Sequence, residues 1–151
     1  MKAIQDYYAE KYSHCYGCGN SNPHGYKLKS YVDGRDTIAH FTVGSQYTGG
    51  VPDYVYGGMV ASLFDCHGTA SAAAFAALQD GKAVDEELAD SRFVTGSLKV
   101  DFLRPTPIAT ELTIKGRLRT VDGRKVTLDM TMEAAGEITA RAEMLAIRLQ
   151  A

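Results

Sequence analysis

The sequence predicts an α+β fold in which a curved antiparallel sheet of about six strands wraps one long central helix, and three observations lead there. Only one stretch, Val55 to Leu78, has sustained helical character. That stretch is apolar or small in nearly every direction around its axis, so it needs cover on most sides. Four later segments alternate apolar and polar residues and are joined by short turns, which indicates antiparallel strands. A lone helix between strands buries all its faces only if the sheet curls around it.

The length of 151 residues is enough for a single domain, 1–151, with a sizeable core. With 45% hydrophobic residues, 23% charged residues and a formal net charge of −2, nothing points to nucleic acid. No apolar run reaches the roughly 20 residues that cross a bilayer. The start, MKAIQDYYAEKY, carries charges and no apolar signal core, so no membrane association and a cytoplasmic location are expected. Three cysteines, an odd number, fit a reducing compartment better than a disulfide scaffold.

In chain order, the N-terminal segment 1–26 holds Cys15 and Cys18 as a CxxC within HCYGCGNSNPHG. His14 and His24 make zinc chemically conceivable, but one CxxC is half a ligand set and these histidines match no common finger spacing. The expectation is a tight glycine-stabilised turn with no metal and no cofactor, and Cys66 reads as a small core residue. Lys27 to Tyr31 and Thr37 to Val43 then form a hairpin around Val32 to Arg35, followed by a loop from Gly44 to Asp53. After the helix, the acidic stretch 79–92 reads as a surface insertion, a candidate lid, with a helical turn through Glu86 to Ala89. Phe93 to Phe102, Glu111 to Val121, Lys125 to Ala134 and Ile138 to Leu149 are the four long strands, read as successive hairpins.

The helix itself carries the chemistry. Gly58, Ser62, Asp65, Thr69 and Ala72 share one face, a stripe of small and polar groups along which a ligand can lie. Asp65 stands between Phe64 and Cys66, where an ionised carboxylate costs several kcal/mol unless it is paired, hydrated or used. The bland account is a structural carboxylate bonded to hydroxyls or backbone. Gly57 and Gly58 shift the balance, because helix-start amides that no side chain shields are natural donors to a carbonyl oxygen or oxyanion. His67, two residues beyond Asp65, points away from that face and reads as a hydrogen-bonded core or interface residue. His40 alternates within a strand and is expected to face solvent.

CYGCGNSNPHGYKL, VYGGMVASLFD and TGSLKVDFLRPTP occur in an order and spacing that resemble hot-dog-fold acyl-CoA thioesterases of the phenylacetate-degradation (PaaI-like) type, and the resemblance runs from Cys15 to Ile147. It implies that the Gly57 amide, with Gly58 beside it, polarises the thioester carbonyl. Asp65 would act as nucleophile or as general base on water, Thr69 would help hold that water, and Thr95 would supply a hydroxyl from across a dimer. The substrate implied is an acyl-CoA, the assembly a homodimer or homotetramer, with the site at the subunit interface. Two positions depart from the family pattern. Tyr56 stands where His is usual, and Gly50 stands where several relatives carry Asn or Gln, a role that Gln46 in the same loop is placed to take. Arg104 is a candidate for the CoA phosphates, as are Arg117, Arg119, Arg124 and Lys125. The alternative is a non-catalytic hot-dog protein that binds acyl-CoA or an aromatic ligand. A dehydratase reading fails because Gly44 to Tyr54 contains no His.

Overall fold

The computed structural model describes residues 1–84, 88–89 and 91–150. Its strands are β1 (Ser30–Asp33), β2 (Asp36–Thr42), β3 (Phe93–Phe102), β4 (Glu111–Asp122), β5 (Lys125–Ala134) and β6 (Glu137–Arg148), with the helix α1 at Gly57–Gln79. All six strands form one antiparallel sheet in the spatial order β1-β2-β4-β5-β6-β3, and α1 packs along it. This is the helix-in-a-curved-sheet expected from the sequence. No helix of the described residues is long and apolar enough to cross a membrane.

Period-two alternation puts one face of each central strand on the helix. Val126, Leu128, Met130 and Met132 of β5, Leu112 and Ile114 of β4, and Ala142 and Met144 of β6 are all buried. Across from them α1 presents Ala70, Ala72, Ala73, Ala74, Ala76 and Ala77, side chains short enough for the sheet to approach closely, with Phe64 and Phe75 filling the wider gaps. At Gly68 the fit is tightest: a Cβ there would stand 2.5 Å from Met144 Sδ.

One expectation is corrected. Phe93–Phe102 and Glu111–Asp122 do not form a hairpin, since β3 pairs with β6 at the sheet edge while β4 pairs with β2 and β5. The connecting segment 103–110 holds Pro105 and Pro107, which cannot donate to a ladder, and it bonds instead to the loop before α1. Val55 N donates to Thr106 O at 2.8 Å, and Ile108 N to Asp53 O at 2.9 Å. Of the stretch 79–92, expected as a surface insertion, residues 79–83 are exposed, and it is tied down further along. Leu88 is fully buried, Ser91 is buried, and Ala9 N donates to Ala89 O at 3.1 Å. Of the helical turn expected through Glu86 to Ala89, Glu86 and Glu87 lie outside the described residues.

A polar network fastens α1 to the first hairpin. His67 is completely buried, its Nδ1 2.8 Å from Ser30 Oγ and its Nε2 3.1 Å from Thr37 Oγ1. Thr37 Oγ1 lies 2.6 Å from Ser71 Oγ, and Gln5 donates through Nε2 to Ser30 Oγ at 3.1 Å. Burial pushes the His67 imidazole down to about 3, so it stays neutral. The reading of His67 as a hydrogen-bonded core residue holds, and His40 is exposed as expected.

Candidate active site

Asp65 sits half-buried near the middle of α1, more open than a carboxylate locked in the core. Its Oδ1 accepts a hydrogen bond from the Thr95 hydroxyl of the same chain. The hydroxyl expected to serve across a dimer thus already meets the carboxylate of its own chain. The cause is local: the β3–β6 register shifts between Thr95 and Ser97, a bulge at Gly96. Before the bulge Phe93 and Thr95 face α1; after it Leu98 and Val100 pack against the core instead. One extra residue thus places a hydroxyl over the helix without exposing the apolar positions that follow.

Thr69, a turn further along α1, is buried and its hydroxyl is directed to Asp65 O at 3.3 Å and Cys66 O at 3.4 Å. Arg92 Nη1 donates to the same hydroxyl at 3.5 Å. The polar stripe is therefore open from Gly58 to Asp65 and closed beyond it, where Thr69 and Ala72 are buried. Ser62 is on the open part, but its hydroxyl already donates to Met59 O at 2.9 Å and lies 2.8 Å from Tyr26 Oη. Sequence reasoning missed Tyr26, although it closes the CYGCGNSNPHGYKL motif. Its ring meets Phe41 and Tyr47 edge-on, with centroids 5.3 and 6.3 Å away, which makes an aromatic wall beside the stripe.

At the helix start, Tyr56 N donates to Tyr47 O at 3.0 Å, and Met59 N and Val60 N both donate to Tyr56 O. The amides of Gly57 and Gly58 donate to no acceptor among the described residues, as expected of the first turn. They are not unshielded, however. The Tyr56 ring folds over Gly58, where a Cβ would stand 2.5 Å from Tyr56 Cε2, and the Phe102 ring lies 3.5 Å from a Cβ placed on Gly57. Nothing in the spacing signalled Phe102, which is brought in by the β3–β6 pairing.

Three predicted positions have other surroundings. Gln46 does not reach the carboxylate, because its side-chain amide is folded back on Gly44, 2.3 Å from where a Cβ would be. Gly50 faces open space. Arg104 is exposed and 3.6 Å from Glu137 in an ion pair. A cavity of about 650 Å³ opens at the far end of α1, lined in part by Phe75, Leu78, Arg35 and Arg117; of the residues expected at the site it includes only Arg117, one of the phosphate candidates.

Cys66, read as a core residue, is buried but meets the CxxC: its Sγ is 3.7 Å from Cys15 Sγ. Hydrogen bonding from the Cys18 and Cys66 thiols holds Cys15 far below the ordinary cysteine range, and the same bonding to Cys15 pushes Cys18 up to about 12.

A helix enclosed by a curved sheet, with a carboxylate on its open face and free amides at its start, is an architecture suited to acyl transfer. The chain belongs to the thioesterase superfamily, whose family model matches residues 53–141. Over 104 residues it is 24% identical to acyl-coenzyme A thioesterase THEM4 of Rattus norvegicus, an alignment covering 69% of this chain and 39% of that protein. It thus spans well under half the length of that relative. Among solved structures, a thioesterase superfamily protein from Shewanella loihica PV-4 is 42% identical, with a TM-score of 0.67 over 84% of this chain and 95% of that one. The E. coli PaaI protein from the phenylacetic acid degradation operon shares the fold at 18% identity, with a TM-score of 0.65 over 82% of this chain and 80% of that one.

Proposed function

We propose that the protein is a single hot-dog domain that hydrolyses an acyl-CoA thioester to a free acid and CoA, in a site shared between two copies of the chain. One observation carries this: Asp65 stands on the open face of α1 under the Thr95 hydroxyl, while the Gly57 and Gly58 amides stand unpaired at the start of the same helix. Eight residues of helix separate Gly57 from Asp65 by about 12 Å along the axis, farther than a thioester carbonyl and its attacking water span. The amide and the carboxylate that serve one substrate therefore come from different copies. β3, ten residues long and at the sheet edge with Val94 and Phe102 exposed, is the edge that a second copy would pair with. A homodimer, or a homotetramer built from it, follows.

In this arrangement Asp65 takes a proton from water or attacks the carbonyl carbon directly. The helix-start amides of the other copy donate to the carbonyl oxygen as negative charge gathers there, and CoA departs as its thiol. Arg104 is offered to the CoA phosphates. The chemistry needs neither metal nor redox cofactor, and three free thiols suit a cytoplasmic setting.

The deciding experiment is hydrolysis across short, medium, long and aromatic acyl-CoAs by wild type and Asp65→Asn, with mass measured by light scattering. Activity that falls at least about a hundredfold in Asp65→Asn while the melting temperature holds supports the reading. A monomer at micromolar concentration would remove the shared site. The second reading, acyl-CoA binding without turnover, is favoured by the Tyr56 and Phe102 rings over the glycine pair. Calorimetric binding with no hydrolysis of any substrate would establish it.

A further inference from the structure

Cys15, Cys18 and Cys66 come from two separate parts of the chain, yet their three sulfurs all lie within 4.8 Å of one another. We propose that they form a zinc site in which one ion is held by three thiolates, its fourth position open to solvent.

The spacing fits. A tetrahedral zinc with bonds of about 2.3 Å holds its sulfurs about 3.8 Å apart. Cys15 and Cys66 are already at 3.7 Å. A disulfide would use two of the three and leave the third idle, whereas an ion uses all of them. Residue 17 has to be glycine for the third ligand to arrive, since a Cβ there would stand 2.4 Å from Cys66 Sγ and 2.8 Å from Tyr26 Oη.

Access and charge agree. Cys18 and Cys66 are buried and Cys15 is half-buried, so an ion enters past Cys15 and meets solvent on that side. Three thiolates around a divalent ion leave a net charge of −1, and the Arg92 guanidinium is near enough to act on Cys18. Binding is an exchange without redox change: each cysteine that still carries a proton gives it up to solvent, and three zinc–sulfur bonds form. His14 and His24, the ligands suggested by sequence proximity, are elsewhere. His14 pairs with Glu10 at 3.0 Å, and neither histidine is among the groups around the sulfurs. The ion would pin the N-terminal turn to α1 at the residue beside Asp65.

The test is a titration of the reduced full-length protein with Co²⁺ as a spectroscopic probe, followed by Zn²⁺. The expected result is one Co²⁺ per chain, a thiolate-to-cobalt charge-transfer band that Zn²⁺ abolishes, and proton release on binding. Cys15→Ser, at the most exposed of the three positions, should weaken binding by at least about tenfold. Cys66→Ser should do the same. A reduced sample with three reactive thiols and no such band would overturn the proposal. So would Cys15→Ser and Cys66→Ser proteins that bind as tightly as wild type. Loss of two thiols to added peroxide, in a protein that takes up no cobalt, would overturn it in favour of a redox pair.

Discussion

The Thr95 hydroxyl reaches Asp65 Oδ1 within one chain because Thr95 shares the inward face of Phe93, and the bulge at Gly96 changes the strand's parity only after it. The carboxylate is thus positioned by its own subunit. In the proposed shared site, the part left for a second copy is the oxyanion donor.

Replacing Thr95 by Val removes that hydrogen bond and keeps the shape. Turnover of the best acyl-CoA substrate should fall by about tenfold, with KM changed far less, because the bond orients the reacting group rather than holding the substrate. Thr95→Ser should restore most of the loss. Steady-state kinetics of both variants decide it, and an unchanged kcat in Thr95→Val would leave the contact without a role in the reaction.

Tyr56 covers Gly58 with its ring, so Tyr56→His tests whether that cover matters. Turnover should stay level or rise, because a smaller side chain uncovers the amide donor. A drop of more than about tenfold at unchanged melting temperature would mean instead that the phenol itself contributes to transition-state binding.

Stability should depend on pH through His67. Its folded value lies near 3, below the ordinary 6.5, so the unfolded chain takes up a proton that the folded chain refuses. The contribution is fully present above about pH 6.5 and declines as pH falls toward 3, by about 1.4 kcal/mol per unit. Denaturant unfolding between pH 6.5 and 5, where most carboxylates are still charged, should show a shallower slope in His67→Gln than in wild type. Equal slopes would contradict a neutral buried imidazole.

The β5–β6 turn offers a stabilising change. Ala135 has φ of 50° and Gly136 has φ of 82°, a two-residue turn with both centres left-handed. An L-alanine there is strained by about 1 kcal/mol, and asparagine tolerates the region better. Ala135→Asn should raise the melting temperature by a few degrees in calorimetry, without effect on activity.

Much of this was readable in the residues, for identifiable reasons. The long helix, the sheet around it and the turns between β4, β5 and β6 follow from periodicity and from glycine placement, which are local signals. Asp65 stood out because a carboxylate amid Phe64 and Cys66 is costly, and Gly57 and Gly58 because paired glycines start the helix. Strand order was not readable: nothing local in Phe93–Phe102 says that it pairs with Glu137–Arg148 rather than with the next strand. Most misreadings at the site have that same origin, Gln46 with its local fold onto Gly44 being the exception. Thr95, Phe102, Tyr26 and Cys66 acquire their partners from segments far along the chain, and residue spacing along one element carries no record of such meetings.

The gap at Gly116 has a wider consequence. A Cβ on β4 at that point would stand 2.4 Å from Thr37 Oγ1, 3.0 Å from Ser71 Oγ and 3.4 Å from His67 Nε2, so the missing side chain is a socket for that polar cluster. Along the rest of α1 the contacts are apolar, from alanines with Phe64, Phe75 and the close fit at Gly68, and carry no hydrogen bonds of this kind. The socket works as a detent that sets the helix's azimuth and axial position. Because Asp65 lies two residues before His67 on the opposite side of the axis, the aim of the carboxylate is set by hydrogen bonds on the far side of the helix, and Gly116→Ala would misdirect Asp65 without touching it.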